Sequence, residues 1–163
     1  MLDNDTLDLA KKVNERLLDA NHVVATAESC TGGLIAAALT SVAGSSAILY
    51  GGFVTYANAA KTNMIGVPAE LIAEHGAVSE AVARAMAIGC RDTANVEAAI
   101  AVTGIAGPGG GSDAKPVGLV HFGLATSTAV LHRQERFGDL GRDAIRQASV
   151  RVALKMILEA YAA

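Results

Sequence analysis

Leu7, Ala10, Val13 and Leu17 recur at helical intervals behind Asp5, and the positions between them are mostly polar or charged. That period predicts an amphipathic opening helix with Asp5 as its N-cap and an end near Asn21. The pattern then changes. His22 to Ala27 is short and carries β-branched residues, which predicts a first strand, and Thr31-Gly32-Gly33 opens a helix from Leu34 to Val42. A second strand is predicted within Ala47 to Tyr56, bulged at Gly51-Gly52. Asn58 would cap a short helix that stops at Gly66, ahead of Pro68.

Ser79 is the predicted cap of a longer helix in which Val82, Met86, Gly89 and Thr93 share one stripe, flanked by Ala85 and Cys90. That face should pack on a core. The strand Ala98 to Thr103 runs into Gly104 to Ser112, a loop too rich in glycine to be helical. Strands at Val117 to Ala125 and Ala129 to Phe137 flank a polar turn around Ser127-Thr128, which predicts an antiparallel hairpin and hence a mixed sheet. The last helix should start after Asp139, with Ile145, Ala148, Val152 and Met156 turned inward. No linker, repeat or low-complexity tail divides the chain, so residues 1–163 are expected to form one domain.

A chain of 163 residues with 52% hydrophobic content can build a full core without disulfides or structural metal. Only 4% of it is aromatic and none is Trp, which disfavours large stacking platforms. Thirteen basic and 16 acidic residues give a formal charge of −3, which offers no electrostatic footprint for nucleic acid or an anionic membrane. A nucleotide partner should therefore be a small molecule. Cys30 and Cys90 form no CxxC pair, so neither a disulfide framework nor a zinc cluster is expected, and a reducing cytoplasm suits them. The start Met1-Leu2-Asp3-Asn4-Asp5 is acidic where a signal peptide would be basic, and no apolar stretch approaches the roughly 20 residues that span a bilayer. Neither export nor membrane insertion is expected, and a homo-oligomer is compatible with the sequence.

Ser29 stands where a strand ends and a helix begins, within Ala27-Glu28-Ser29-Cys30-Thr31-Gly32-Gly33. Free N–H groups and the positive end of a helix dipole at that place would stabilise a developing oxyanion, which makes Ser29 a candidate nucleophile. Ser29 or Thr31 could equally be a plain helix cap, and spacing alone leaves both readings open. The four histidines show neither triad order nor metal-ligand spacing. Lys61 lies in the first turn of its predicted helix, where the dipole opposes an ammonium and draws the pKa in the direction a general base needs. A solvated surface lysine is the alternative. Tyr56, at the end of the preceding strand, could orient either group.

The loop from Gly104 to Ser112 could bring backbone N–H groups to a phosphate or a carbonyl, or could be a long turn. It matches neither the P-loop nor the G-x-G-x-x-G pattern. Arg142 and Arg146 are four apart in the last helix and share a side, with either a ligand anion or Asp139 and Asp143 as partners.

Taken together, Ala27 to Gly33, Gly52-Phe53-Val54-Thr55-Tyr56-Ala57-Asn58 with Lys61, Gly76-Ala77-Val78-Ser79-Glu80, Thr103 to Pro108 with Gly110-Gly111-Ser112, and Lys115-Pro116-Val117-Gly118 closely resemble the CinA C-terminal-domain family. The resemblance extends over essentially the whole chain. It implies a three-layer α/β/α fold with a five-stranded mixed sheet, and deamidation of nicotinamide mononucleotide in pyridine nucleotide recycling without metal or organic cofactor. On that resemblance Ser29 matches the nucleophile, Lys61 the base and Tyr56 a neighbouring active-site residue. Thr31, Gly32 and Gly33 would supply the oxyanion site, Thr103, Gly104 and Gly107 the ligand-binding edge, and Arg142 and Arg146 the phosphate contacts. Many members carry a further large N-terminal domain, for which this chain is too short. The family's association with competence and DNA damage supplies no mechanism here, because nothing in the charge pattern looks like a DNA-binding surface. A nucleotide-binding or regulatory module without turnover, and an amidase for another substrate, are the rival readings.

Overall fold

The computed structural model describes residues 2–162. Helix α1 (Asn4–Ala20) begins two residues earlier than predicted, because the cap is Asp3 rather than Asp5, and the Asp3 carboxylate accepts from the Thr6 N–H at 2.8 Å. Asp5 lies inside the first turn instead, where its charge still complements the helix dipole. Asn21 closes α1 in the left-handed region.

Strand β1 (Val24–Glu28), helix α2 (Leu34–Thr40), a single 3-10 turn (Ser45–Ala47), strand β2 (Leu49–Val54) and helix α3 (Asn58–Ile65) follow. The bulge in β2 falls at Tyr50, since Val24 pairs with Leu49 and Ala25 already with Gly51. Helix α4 (Ala69–His75) has no counterpart in the sequence prediction. Its seven residues are too few to display a period, and Pro68, expected to mark a stop, is its N-cap. Then come α5 (Glu80–Ala94), β3 (Ala98–Gly104), β4 (Leu119–Ala125), β5 (Val130–Arg136) and α6 (Arg142–Ala160).

The five strands form one sheet in the order β2-β1-β3-β4-β5. The first three run parallel, and β4 and β5 are antiparallel, closed by a hairpin in which the Thr126 N–H donates to the Ala129 carbonyl at 2.8 Å. Helices α1, α2 and α6 pack together over one face, and α5, with α3 and α4 against it, covers the other. Alternation along the strands supplies both cores, the architecture being α/β/α. Val24, Ile100, Val102, Phe122 and Leu124 face α1, α2 and α6, whereas Ala25, Ala27, Ala99, Ala101 and Ala125 face α5.

That second face is built from small side chains so that α5 can lie close to the sheet. A Cβ at Gly123 would run into the Ala83 carbonyl of α5, and in the same way one at Gly89 of α5 would run into the Ile65 carbonyl of α3. The buried stripe of α5 consequently takes in Ala83, Ala87 and Ala94 with Val82, Met86 and Cys90, while Thr93 is exposed. In α6 the buried set is Ile145, Ser149, Val150, Ala153, Leu154, Met156 and Ile157, and Ala148 and Val152 are half-buried. The stripe is wider than predicted because α6 packs on α1 and α2 as well as on the sheet. Among the described residues no helix is long and apolar enough to cross a membrane.

On the α5 face, His121 stands opposite Thr103 in the β3–β4 register. Its Nδ1 shares a 2.9 Å hydrogen bond with His132 Nε2, the rings are stacked at 5.2 Å, and His132 Nδ1 lies 3.6 Å from a Glu80 carboxylate oxygen. Arg84 donates to that same carboxylate at 2.9 Å. Burial pushes His121 down to about 4, assisted by the charges of His132, Lys115 and Arg136 and opposed by Glu80. The folded protein therefore binds fewer protons than the unfolded chain between the ordinary value of 6.5 and about 4. Stability is full above that window and falls as pH drops through it, by about 3 kcal/mol at most from His121. Urea unfolding at pH 7 and pH 4.5 should show this loss, and His121→Gln should reduce it markedly; an unchanged pH dependence would rule out His121 as its source.

Candidate active site

The parallel strands β1, β2 and β3 end on the same edge of the sheet, the edge at which open α/β sheets place their ligands. Ser29 follows β1, Tyr56 follows β2, and Thr103 is near the end of β3. Helix α3 starts at Asn58 with Ala57 as its N-cap and no side-chain cap, so Asn58 is the first helical residue rather than the cap. Long side chains on a helix lean toward its N-terminus. Lys61, the fourth residue of α3, accordingly sends Nζ back over the start of the helix, where it meets the Thr55 carbonyl at 2.8 Å, the Tyr56 carbonyl at 3.3 Å and the Ser29 hydroxyl at 3.2 Å.

Lys61 is 1% exposed, and among the described residues it has no ion pair with a carboxylate. Burial without a counter-charge holds its amine below the ordinary 10.5, with Cys30 opposing. The three contacts suit a neutral amine. Two N–H bonds satisfy the two carbonyls, and the remaining lone pair faces Ser29, whose hydroxyl can donate to it.

The turn after β1 is organised by Glu28, a residue with no role in the sequence reading beyond its place in the motif. Its carboxylate is 1% exposed and accepts from the Thr31 hydroxyl at 2.7 Å, the Ile35 N–H at 2.8 Å, the Ala36 N–H at 3.1 Å and the Thr26 hydroxyl at 3.2 Å. The positive end of α2 is thus already occupied by a carboxylate of the protein itself. This corrects the expectation that Thr31, Gly32 and Gly33 offer an oxyanion site. Thr31 is buried against Glu28, the Gly32 N–H closes a turn onto the Ser29 carbonyl at 3.1 Å, and Gly33, at φ 101°, is the N-cap of α2. None of the three lines the cleft. Neither Ser29 nor Thr31 caps α2. A carboxylate at the end of an otherwise uncharged strand was the signal for Glu28.

Beside Ser29 and Lys61 opens a cleft of about 270 Å³. Cys30, Tyr56 and Asn58 form one wall, Ala77 and Val78 a second, and Thr103, Gly104 and the loop through Gly107 to Gly110 a third. The Thr103 hydroxyl donates to the Ala77 carbonyl at 2.9 Å and ties the second wall to the third. Arg142 lines the mouth, donating to the Gly107 carbonyl at 2.9 Å and to the Tyr56 hydroxyl at 3.0 Å. Arg146 does not line the cleft. It donates to the carbonyls of Cys30 at 3.1 Å and Thr31 at 3.2 Å from outside, so the two arginines do not form a joint anion site. Neither is ion-paired to Asp139 or Asp143 among the described residues. Asn58, Ala77 and Val78 are wall residues that sequence reasoning did not assign to the site.

Sheet and cleft together define an α/β protein whose sheet edge presents a serine hydroxyl to a buried lysine. Residues 6–161 match the CinA C-terminal domain, and the chain belongs to that family. Among its relatives, the nicotinamide-nucleotide amidohydrolase PncC of Escherichia coli strain K12 is 46% identical over 163 residues, 99% of this chain and 98% of that protein. A CinA-like protein of Synechococcus sp. strain RCC307 is 49% identical over 154 residues, 94% of this chain and 37% of that protein, so this chain spans little more than a third of the longer relative. The crystal structure of the competence/damage inducible protein CihA from Agrobacterium tumefaciens superimposes with a TM-score of 0.95 at 49% identity, covering 98% of this chain and 97% of that one.

Glu28→Gln should place an NH2 group among donors that now meet a carboxylate oxygen, destabilising the fold by about 2–3 kcal/mol. A shift in the urea midpoint measures it, and an unchanged midpoint would show that the turn holds without this carboxylate.

Proposed function

We propose that this protein is an amidohydrolase that converts nicotinamide mononucleotide to nicotinate mononucleotide and ammonia, with Ser29 as nucleophile and Lys61 as its base. The observation that carries the chemistry is the 3.2 Å contact between Lys61 Nζ and Ser29 Oγ, made by a lysine that is buried and has no ion pair among the described residues. The substrate is supported by the name of the Escherichia coli relative, which aligns with this chain almost from end to end.

Neutral Lys61 takes the Ser29 proton as Oγ attacks the carboxamide carbon. The resulting oxyanion needs a donor, and the Cys30 N–H is the best placed. It belongs to the residue after the nucleophile, Cys30 lines the cleft, and the N–H donates to no carbonyl or carboxylate among the described residues. Collapse breaks the C–N bond, and the Lys61 ammonium returns its proton to the departing nitrogen, releasing ammonia. Water then attacks the acyl ester, giving a proton to Lys61, which passes it to the departing Ser29 oxygen, so that nicotinate mononucleotide leaves and the Ser29 hydroxyl is restored. The positive pyridinium of the substrate makes the amide carbon more electrophilic.

Arg142 suits the phosphate. It stands at the mouth of the cleft, and among the described residues it has only neutral partners, which leaves its charge available to an anion. Tyr56, which accepts from Arg142, would shape the opening, and Thr103, Gly104 and Gly107 would form the opposite wall. We place the protein in the cytoplasm, where its two free buried cysteines would stay reduced, and treat residues 1–163 as one domain.

Ser29→Ala should lower ammonia release from nicotinamide mononucleotide by at least about 10³-fold with an unchanged circular dichroism spectrum; turnover near that of the wild type would remove Ser29 from the role. With nicotinamide, its riboside and its mononucleotide compared, the mononucleotide should be preferred. Arg142→Ala should raise KM for the mononucleotide about 10-fold or more with little change in kcat, because a phosphate contact acts on ground and transition states alike. An unaltered KM would leave Arg142 as a bridge between Tyr56 and Gly107 only.

A further inference from the structure

The residue that would present the oxyanion donor sits in a turn gripped from behind by one guanidinium. The Gly32 N–H closes that turn on the Ser29 carbonyl, so its central peptide is the one joining Cys30 to Thr31. This central peptide has no part in the closing hydrogen bond, and turns of different type differ by its rotation. Arg146 Nε holds its carbonyl, that of Cys30, at 3.1 Å. Arg146 Nη2 holds the next carbonyl, that of Thr31, at 3.2 Å, and this oxygen also receives the Leu34 N–H at 3.1 Å, tying the turn to α2. The guanidinium lies directly along the turn, since a Cβ on Gly32 would be 3.5 Å from Nη2.

We infer that Arg146 is a positioning residue that locks the turn between Ser29 and Gly32, fixing the Cys30 N–H and the Ser29 hydroxyl toward the cleft. The inference rests on the acyl-transfer chemistry proposed above and assigns a residue to it. Both peptide planes that meet at Cys30 are held, one by the Gly32 N–H and the other by Arg146. Glu28 grips the same segment by its donors, Thr31 Oγ1 and the Ile35 and Ala36 N–H groups, while Arg146 grips it by its acceptors. Arg146 reaches the segment from α6, 116 positions further along the chain than Cys30, and it lies beside Leu34, Asp143 and Gln147 rather than in the cleft. A guanidinium presents two N–H vectors in a rigid fork and can hold two successive carbonyls, which the point charge of a lysine cannot do at once.

An arginine that contacts the substrate and one that holds the catalytic turn differ in the kinetic constant they change. Arg146→Ala and Arg146→Lys in the full chain are to be compared with wild type for ammonia release from nicotinamide mononucleotide, for nitrophenolate release from p-nitrophenyl acetate, and for melting temperature. Arg146→Ala should lower kcat by about 10²-fold, the scale of a lost or misplaced oxyanion donor, with KM within about twofold. Arg146→Lys should lose about tenfold, and added guanidinium should restore part of the kcat of Arg146→Ala but none in a Ser29→Ala control. A raised KM at constant kcat, or an unchanged kcat, would overturn the inference. If Arg146→Ala does not fold, Arg146→Lys decides the matter: a lower kcat at an unchanged melting temperature supports the inference, and an undiminished kcat overturns it. Wild type that is inert toward the mononucleotide but acylated at Ser29 by the ester would sink the substrate assignment alone. Arg146 would then be judged by the ester rates, a fall of about 10²-fold in Arg146→Ala supporting its role and an equal rate overturning it.

Discussion

The cleft depends on an amine kept out of water with no carboxylate to neutralise it. Burying an ammonium costs several kcal/mol even after the protein relaxes, and an ion pair is the usual compensation. Lys61 has none among the described residues, and burial draws its pKa below the ordinary 10.5, which favours the neutral amine. Each part of the surrounding structure serves that state. The two carbonyls that end the β2 segment take the amine's N–H groups, the start of α3 opposes a positive charge, and the remaining lone pair meets Ser29.

The two helices that follow β1 and β2 use their N-termini in opposite ways. At α2 the dipole is met by Glu28, whose carboxylate satisfies the first N–H groups and braces the turn carrying Ser29. At α3 no side chain caps the helix, and a lysine sits where a cation is disfavoured. One N-terminus therefore binds a carboxylate of the protein, and the other disfavours a positive charge on the amine beside Ser29. The alanine- and glycine-rich face of the sheet has its own part in this, because it lets α5 lie close enough to bring Ala77 and Val78 to the cleft wall.

Much of this was legible along the chain. The period of α1, the presence of α5 and α6 though not their full buried stripes, the strand–turn–helix at Ser29 and the hairpin of β4 and β5 all follow from alternation and turn chemistry. Ser29, Lys61, Tyr56, Thr103, Gly104, Gly107 and Arg142 were singled out from sequence, and the fold brings them to one cleft. Helix α4 escaped because it is too short for its apolar positions to repeat. The parts that Glu28 and Arg146 play were harder to read for a different reason: both partners of Arg146 and two of the four partners of Glu28 are main-chain groups, and main-chain geometry leaves no pattern in residue identity. Nothing local in the sequence of α6 says that Arg146 turns to the back of Cys30 while Arg142, one turn earlier, reaches the cleft.

The charge state of Lys61 in the folded protein is the most direct test of the central claim. The 13Cε resonance of Lys61, assigned by its absence from Lys61→Met, can be followed through an alkaline titration. A midpoint clearly below 10.5 is the expected result. A midpoint at or above that value would mean that the amine stays protonated beside Ser29, and the serine would have no base.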